Sequence, residues 1–443
     1  MRIAPPVAAK GALLCACLSV GAVAFVTAAT FTFALYPTIG PAHHAGLDPD
    51  GYGTLGRCLS RFGTLCYSDG QPTVSRGPLY PLFIAALLRM TAGWWPYAVQ
   101  GGQCLLHGMT CVIVFLVARR LWNVEVGIIS SMLCAIHPLL VWYTSRIWIE
   151  TLATFLLTAV VAATACVYLA PTLVRSYLLG VLIGLGCLCK ATFLPFILVV
   201  PIALRLARGR AVGASLMLCI ALGATLVVLP WSVRNWWLTG RVIPVHVLMG
   251  YNMWLGDEFV DRLSHSPFGS AALSSAAHQE APFAGLGSPG DDAPLAQREA
   301  TFDAALLRRS VARYARDPAF VAKKVVVNAW LFWVMSETPL KTLSWMVLQI
   351  PLLALFMWAA LRALWRPEGA GIQGVHIAML SLYVAEHLPL YAVGRLSVVL
   401  VPTMVMYAVA TVYEVWRSAV FRAASPDSAT AVDEGLCFGR SGG

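Results

Sequence analysis

Charged residues are scarce in this chain. They make up 12% of its 443 residues, whereas soluble domains carry roughly 25%. Hydrophobic residues make up 59%, and several apolar runs of about 20 residues are long enough to cross a bilayer as helices. These runs are continuous rather than alternating, which excludes a membrane barrel. The composition therefore predicts an all-α polytopic membrane protein.

Acidic residues are also few, 21 against 31 Lys and Arg, which gives a net charge of +10. No basic stretch is interleaved with aromatic residues as a nucleic-acid platform would be, so we expect no nucleic-acid partner. The positive charge instead follows the positive-inside pattern of membrane proteins. It lies in short clusters between the apolar runs, at Arg119–Arg120, Arg205–Arg210, Arg362–Arg366 and Arg417–Arg422.

Zinc-like spacings of Cys and His are absent, and no internal repeat is visible. The sequence therefore requires no metal or other cofactor, although the acidic first loop could bind a divalent metal ion. Most of the 12 Cys lie inside apolar runs, where they are small core residues. Cys58 and Cys66 share a polar loop and could form a disulfide if that loop is extracytoplasmic. The sequence leaves their bridging open.

Hydropathy predicts about ten membrane spans. The first apolar run is longer than the core of a signal peptide and has no clear cleavage site, so we expect a retained span. An apolar stretch near 78–95 is interrupted by Arg89 and is predicted to lie along the membrane interface. The spans are predicted near 11–36, 97–118, 126–143, 148–169, 177–189, 192–207, 213–230, 340–361, 374–392 and 396–415.

Four regions follow from this count. They are an N-terminal transmembrane region, 1–250, which includes a catalytic first outer loop, 37–96; a long outer loop with surface helices, 251–339; C-terminal transmembrane helices, 340–416; and a disordered cytoplasmic tail, 417–443. We expect the protein to lie in the plasma (inner) membrane with both termini in the cytoplasm, which places every Arg cluster on the cytoplasmic side. The segments then on the outer side are 37–96, 143–148, Lys190, 231–339 and 393–395.

The first outer loop holds two acids close to a span, in "GLDPDGYG". The residues alone allow two interpretations of Asp48 and Asp50. They are turn residues, with Asp50 able to cap a helix that starts at Gly51, or one of them is a general base.

Cations are predicted on the same side. Lys190 lies between two short spans, where an unpaired charge in the bilayer would cost about 2.5–3.5 kcal/mol. Lys190, Arg76 and Arg395 each have two interpretations. Each is either an anchor at the membrane interface or a ligand for an anion. Arg146 and Glu150, four residues apart at the predicted start of a helix, form either a structural ion pair or part of a site.

A carboxylate and several cations at the edge of the hydrocarbon suit one kind of chemistry. Cations there can hold a lipid phosphate whose tail stays in the bilayer. A carboxylate beside them can take the proton from an alcohol that attacks a sugar carbon. The lipid phosphate leaves, and one displacement inverts the configuration at that carbon.

Several motifs carry a resemblance to a known family. They are "DPDGYGTLGRCL", "RGPLYP", "HPLLVWYTSRIWIETL", "GLGCLCKATFLP" and "PWSVRNWWLTGRVIPVHVLMGYNMWLGD", spread over residues 11–415. In these motifs the chain resembles the membrane glycosyltransferases of the C-type superfamily. Within it, the chain is similar to the bacterial branch related to protein O-mannosyltransferases and lipid A aminoarabinose transferases.

The resemblance implies an inverting hexosyl- or pentosyltransferase. Its partners would be a polyprenyl-phosphate sugar as donor and a surface glycan, lipid or protein hydroxyl as acceptor, and it would act outside the membrane. Asp48 has the family's offset from Tyr52 and is preferred as base over Asp50. The implied donor-phosphate ligands are Lys190, Arg234, Arg395 and Arg76, and the implied positioning residues are Tyr52, Tyr80, Arg146 and Glu150. Leu396 replaces a Tyr that often follows the last Arg in the family.

A transporter or flippase of a lipid-linked sugar is the alternative. Such proteins often have repeat symmetry and charges buried inside their spans. Here the charges lie at the predicted outer ends of spans, which favours the enzyme.

Overall fold

The protein folds as a set of helices joined by short connections. The computed structural model describes residues 7–39, 48, 50–67, 70–91, 95–263, 293–336, 338–366 and 371–423. In these residues the regular structure is helical, with one isolated β-bridge between Cys66 and Pro72. The predicted all-α polytopic fold is confirmed.

The N-terminal half begins with α1 (Val7–Thr30), which a π-helical turn at Phe31–Leu35 joins to α2 (Tyr36–Ile39). The helices that follow up to residue 239 are α3 (Tyr52–Phe62), α4 (Leu79–Met90), α5 (Tyr97–Leu121), α6 (Val124–Ala135), α7 (Pro138–Thr144), α8 (Glu150–Leu169), α9 (Leu173–Cys189), α10 (Phe196–Arg208) and α11 (Ala214–Thr239). A short 3₁₀ helix at Ala191–Phe193 separates α9 from α10.

The C-terminal half adds six more helices in the described residues. They are α12 (Met249–Leu263), α13 (Leu295–Arg316), α14 (Pro318–Val334), α15 (Pro339–Leu364), α16 (Gly371–His387) and α17 (Val401–Ala423). A 3₁₀ helix at Gly394–Leu400 leads directly into α17.

Among the described residues, seven helical segments are long and apolar enough to cross a membrane, and a bent pair makes an eighth. The bent pair is α6 with α7, which meet at 52° where Pro138 starts α7. Proline has no amide hydrogen for the preceding turn, so it starts a new helix there. About ten spans were expected. The two remaining predicted spans coincide with α9 and α16, which have 17 residues each.

Close packing of α9 on α11 explains the glycines of these helices. A Cβ at Gly180 would overlap the backbone carbonyl of Ile220, and a Cβ at Gly223 would lie 2.5 Å from the carbonyl oxygen of Tyr177. Small residues let helix backbones approach in a bilayer, where no hydrophobic force drives helices together. This contact fixes the end of α9, which carries the residue Lys190 at its C-cap.

A buried charged network joins α12, α13 and α14. Lys324 on α14, with 1% of its side chain exposed, donates from Nζ to Asp257 Oδ1 at 2.7 Å. The same nitrogen donates to the Met253 carbonyl at 2.9 Å and lies 2.8 Å from the Tyr314 hydroxyl. These contacts hold α12, α13 and α14 together.

Cys58 and Cys66 are joined by a disulfide. It ties the end of α3 to the segment that leads toward Arg76.

Parts of all four predicted regions lie outside the described residues. They are 1–6, 40–47, 49, 68–69 and 92–94 of the N-terminal region with its first outer loop, 264–292 and 337 of the long outer loop, 367–370 of the C-terminal transmembrane helices, and 424–443 of the tail. The tail was expected to be disordered from residue 417, which is wrong for its first residues, because α17 continues to Ala423.

Candidate active site

Asp48 lies just before α3 and accepts a hydrogen bond at Oδ2 from the Gly53 backbone nitrogen at 2.7 Å. Its other oxygen, Oδ1, is buried and has no hydrogen-bond partner among the described residues. Burial raises the pKa of Asp48 to about 7, against the lowering effect of the Gly53 hydrogen bond. The neighbouring charge of Asp50 raises this pKa further. A carboxyl with a pKa near 7 and one free oxygen is suited to accept a proton.

Gly53 is required where it stands. A Cβ at this position would lie 2.7 Å from Asp48 Oδ2 and would overlap the Trp95 ring. Only glycine lets the first turn of α3 approach the carboxyl so closely. The "DGYG" motif thus sets the position of Asp48.

Arg395 joins two acids that are far apart in sequence. Its Nη1 lies 3.1 Å from Asp50 Oδ2, and its Nε lies 3.7 Å from Glu150 Oε1. Glu150 is buried, with 1% of its side chain exposed, and its Oε2 has no hydrogen-bond partner in the described part of the chain. Gly394 positions this cation by donating its backbone N–H to the Met335 carbonyl at 2.7 Å.

Arg146 and Glu150 do not lie on one helix, so the expected helical i, i+4 geometry is wrong. Arg146 falls in the connection between α7 and α8, because α7 ends at Thr144 and α8 begins at Glu150. The Arg146 guanidinium instead lies 4.4 Å from the centre of the Trp148 ring, and Arg395 lies 4.9 Å from the same ring. Trp148, which the sequence argument did not single out, is therefore a contact for both cations.

Lys190 lies at the break between α9 and the 3₁₀ helix, as the two short apolar runs predicted. Its Nζ donates to the Tyr383 hydroxyl at 2.8 Å. It is also within electrostatic range of Glu150 and Arg395. Tyr383 was not predicted as a site residue, because nothing in the sequence of α16 indicates that it contacts Lys190, 193 positions away.

Arg76 lies over the Tyr52 ring, 5.7 Å from its centre, and is within electrostatic range of Asp50 and Arg395. The next residue, Gly77, packs on the end of α9, since a Cβ there would lie 2.5 Å from the carbonyl oxygen of Leu188. This contact brings the Arg76 segment beside Lys190.

The two predicted positioning tyrosines contact each other edge to face, with ring centres of Tyr52 and Tyr80 5.1 Å apart. Tyr80 is fully buried, and its hydroxyl donates to Gln103 Oε1 at 2.7 Å. Gln103 in turn donates from Nε2 to the carbonyls of Thr144 and Arg146 at 3.0 and 2.7 Å. Tyr80 thus supports the connection that carries Trp148.

Arg234 has a different environment from the other predicted cations. Its Nη1 donates to the Thr73 carbonyl at 2.8 Å and to Asn235 Oδ1 at 3.1 Å. The acid within its electrostatic range is Glu299. None of these contacts involves Asp48, Asp50 or Glu150, so among the described residues Arg234 lies beside the segment that precedes Arg76 rather than with the acids.

The structure thus brings together most of the predicted site residues from five separate parts of the chain. They are Asp48, Asp50, Tyr52, Arg76, Tyr80, Arg146, Glu150, Lys190 and Arg395. In the described residues, no group of three His, Cys, Asp or Glu side chains is arranged to hold a metal ion.

No protein-family model matches this chain, and no curated protein matches its sequence. Solved structures do match. The fold is similar to that of an archaeal oligosaccharyltransferase. The structure of AglB from Archaeoglobus fulgidus in complex with an inhibitory peptide and a dolichol-phosphate has a TM-score of 0.57 and 13% identity. The match covers 96% of this chain and 52% of that chain.

Two further structures of the Archaeoglobus fulgidus oligosaccharyltransferase match in the same way. The apo form has a TM-score of 0.56 at 14% identity, and the form tethered to an acceptor peptide containing the NVT sequon has 0.54 at 12%. Each match covers 92% of this chain and 51% of the other. The chain therefore spans about half the length of the structures it matches. The likeness shows a shared fold over that half of the archaeal enzyme.

Proposed function

We propose that this protein is an inverting membrane glycosyltransferase that moves a sugar from a polyprenyl-phosphate donor to a hydroxyl acceptor. The observation that carries the proposal is Asp48, whose buried Oδ1 has no hydrogen-bond partner among the described residues, at the same site as Arg76, Lys190 and Arg395. The similarity in fold to an oligosaccharyltransferase solved with a dolichol-phosphate supports a lipid-linked donor.

Asp48 is the proposed base. Its pKa of about 7 lets it exist as a carboxylate at neutral pH and still bind a proton during the reaction. Asp50 is less suited to this role, because its Oδ2 is engaged by Arg395 at 3.1 Å. In the reaction, Asp48 Oδ1 takes the proton of the acceptor hydroxyl as that oxygen attacks the anomeric carbon. The new glycosidic bond forms while the bond from this carbon to the phosphate oxygen breaks.

The leaving group is the polyprenyl phosphate, which gains the negative charge of the broken bond. Arg76, Lys190 and Arg395 are the proposed partners of that charge, since preorganised cations stabilise charge that develops in a transition state. No general acid is then needed. Arg234 acts one contact further out, through the Thr73 carbonyl that it binds.

Glu150 and Trp148 complete the site in this proposal. Glu150 holds Arg395 from one side, and Trp148 lies against both Arg395 and Arg146. Tyr52 lies under Arg76. These residues orient the cations, and Tyr80 supports them through Gln103.

Location follows from charge and from the disulfide. The Arg clusters favour a plasma membrane protein with both termini in the cytoplasm. The Cys58–Cys66 disulfide supports an extracytoplasmic first loop, because such bonds persist in oxidising compartments. The acceptor classes are a surface glycan, lipid or protein, and the donor sugar is a hexose or pentose. A place in the branch of the protein O-mannosyltransferases and aminoarabinose transferases is part of the proposal.

The test is mass spectrometry of the surface glycolipids and glycoproteins of a strain that lacks the gene. The strain is complemented with the wild type or with the Asp48→Asn, Asp50→Asn double variant, and membrane levels of both are matched by immunoblot. We expect a sugar-sized mass to be lost on deletion and restored by the wild type alone. Restoration by both would remove the acids from the mechanism and favour the transporter or flippase.

A further inference from the structure

The backbone just before Arg76 is held by a buried acid from the long outer loop. Glu299, on α13, is fully buried. Its Oε1 accepts a hydrogen bond from Thr73 Oγ1 at 2.6 Å, and its Oε2 accepts one from the Val74 backbone nitrogen at 2.8 Å. Both carboxylate oxygens are thus used on two consecutive residues that lie more than 200 positions away in the chain.

The same short segment is fixed from its other edges. The Thr73 carbonyl accepts from Arg234 Nη1 at 2.8 Å, and the Val74 carbonyl accepts from the Val247 backbone nitrogen at 3.0 Å. Ser75 Oγ lies 2.8 Å from Thr73 Oγ1. Almost every polar group of residues 73–75 therefore forms a hydrogen bond. Glu299 is the acceptor for two of these groups, the Thr73 hydroxyl and the Val74 backbone N–H.

The position of the Arg76 backbone depends on residues 73–75. Consecutive Cα atoms are about 3.8 Å apart, so the residue that Glu299 binds at Val74 is within two residues of the cation. Among the described residues, the hydrogen bond of Arg76 to the backbone runs from Nη1 to the Ser75 carbonyl and is long, at 3.4 Å. The bonds that fix residues 73–75 therefore set where the Arg76 side chain begins, and its guanidinium lies 5.7 Å from the centre of the Tyr52 ring.

We propose that Glu299 is a positioning residue for Arg76, which couples α13 to the binding of the donor phosphate. This inference rests on the proposed function, since it assigns the phosphate to Arg76. Without Glu299, the Val74 N–H would be buried without its acceptor, which favours movement of the segment. Arg76 would then be displaced from the phosphate, while the contacts of the lipid tail would be unchanged.

The experiment compares two lipids that differ only in the phosphate. Purified protein in detergent is titrated with undecaprenyl phosphate and with undecaprenol, and Kd is measured for each. For Glu299→Leu we expect Kd for undecaprenyl phosphate to rise about tenfold, with Kd for undecaprenol unchanged. The matched control is Asp303→Leu, which removes a buried acid one turn further along α13 that accepts from the Tyr251 backbone nitrogen. It should lower the apparent Tm and leave both Kd values unchanged.

A second pair of variants keeps the inference testable if Glu299→Leu fails to fold. Thr73→Val removes one of the two hydrogen bonds and should weaken binding of undecaprenyl phosphate about threefold, while Thr73→Ser keeps the hydroxyl and should bind like the wild type. In the Glu299→Leu, Thr73→Val double variant the two effects should not add, because they act on one interaction.

Two results would overturn the inference and are distinguishable from each other. If the wild type prefers undecaprenyl phosphate over undecaprenol but Glu299→Leu or Thr73→Val keeps the same preference, Glu299 has a structural role alone. The same conclusion follows if Asp303→Leu weakens phosphate binding equally. If the wild type shows no preference for the phosphate, the proposed function fails, and the inference fails with it.

Discussion

Replacing Asp48 by Asn should abolish transfer and at the same time make the protein more stable at neutral and alkaline pH. The carboxylate is proposed as the base, and an amide cannot accept the proton. The folded protein, however, holds this carboxyl in a site where burial raises its pKa from the ordinary value of 3.8 to about 7. The charged form is therefore less stable in the folded state than in the unfolded chain.

The sign and size of the stability effect follow from the two pKa values. Below pH 3.8 the carboxyl is protonated in both states and has no net effect. As the pH rises toward 7, the unfolded chain loses the proton first, so the folded state loses stability, and above about pH 7 the full effect is reached. A difference between 3.8 and about 7 corresponds to about 4 kcal/mol. Because the carboxyl is only partly buried, we expect about half of this, about 2 kcal/mol.

The assay measures apparent Tm in detergent for the wild type and Asp48→Asn at pH 5, 6, 7 and 8. The variant should be more stable by an amount that grows with pH, to a few degrees at pH 8. Asp50→Asn is the control, because it loses the ion pair with Arg395 and should be less stable than the wild type at pH 8. A Tm difference for Asp48→Asn that is independent of pH would refute the raised pKa. Normal transfer by this variant would refute its role as base.

Two other substitutions test the packing around the site and the outer helices. Gly77→Ala would place a Cβ 2.5 Å from the Leu188 carbonyl oxygen at the end of α9. It should reduce transfer about 10- to 100-fold by displacing the adjacent Arg76. Gly101→Ala is the control and should transfer normally, because a Cβ there would meet no other described segment within 4 Å. Lys324→Met removes the cation paired with the buried Asp257 and should cost about 3–5 kcal/mol of stability, measured by thermal unfolding. Arg309→Met breaks a pair at 3.8 Å between the exposed Arg309 and Glu258 and should change the stability little; equal losses in both variants would contradict the reasoning.

Some features of the site could be predicted because they depend on local sequence. Lys190 interrupts two apolar runs, and a charge in that position has to lie at the end of a helix or meet a partner. The structure places it at the C-cap of α9. Asp48 and Asp50 come soon after the first apolar run, so their place in the loop that follows it could also be predicted.

Other features of the site could not be predicted from the sequence, because they depend on how distant segments pack. Arg146 and Glu150 have the spacing of a helical pair, but the chain between Thr144 and Glu150 breaks α7 from α8, and Glu150 pairs with Arg395 instead. Arg234 stays a prediction as a ligand for the donor phosphate, and the sequence could not indicate that its Nη1 also binds the Thr73 carbonyl. Spacing along the chain gives no information about either partner.

An all-α membrane protein, its apolar runs long enough to cross a bilayer, and the acids and cations near the ends of those runs could all be predicted from the sequence. These properties follow from the hydrophobic effect and from the need of each backbone to satisfy its own hydrogen bonds in lipid. The packing of distant segments, by contrast, pairs Asp50 with Arg395, 345 residues away, and leaves Asp48 Oδ1 without a hydrogen-bond partner among the described residues. Burial, which raises the pKa of Asp48, depends on every segment packed around the carboxyl and not on its neighbours in sequence.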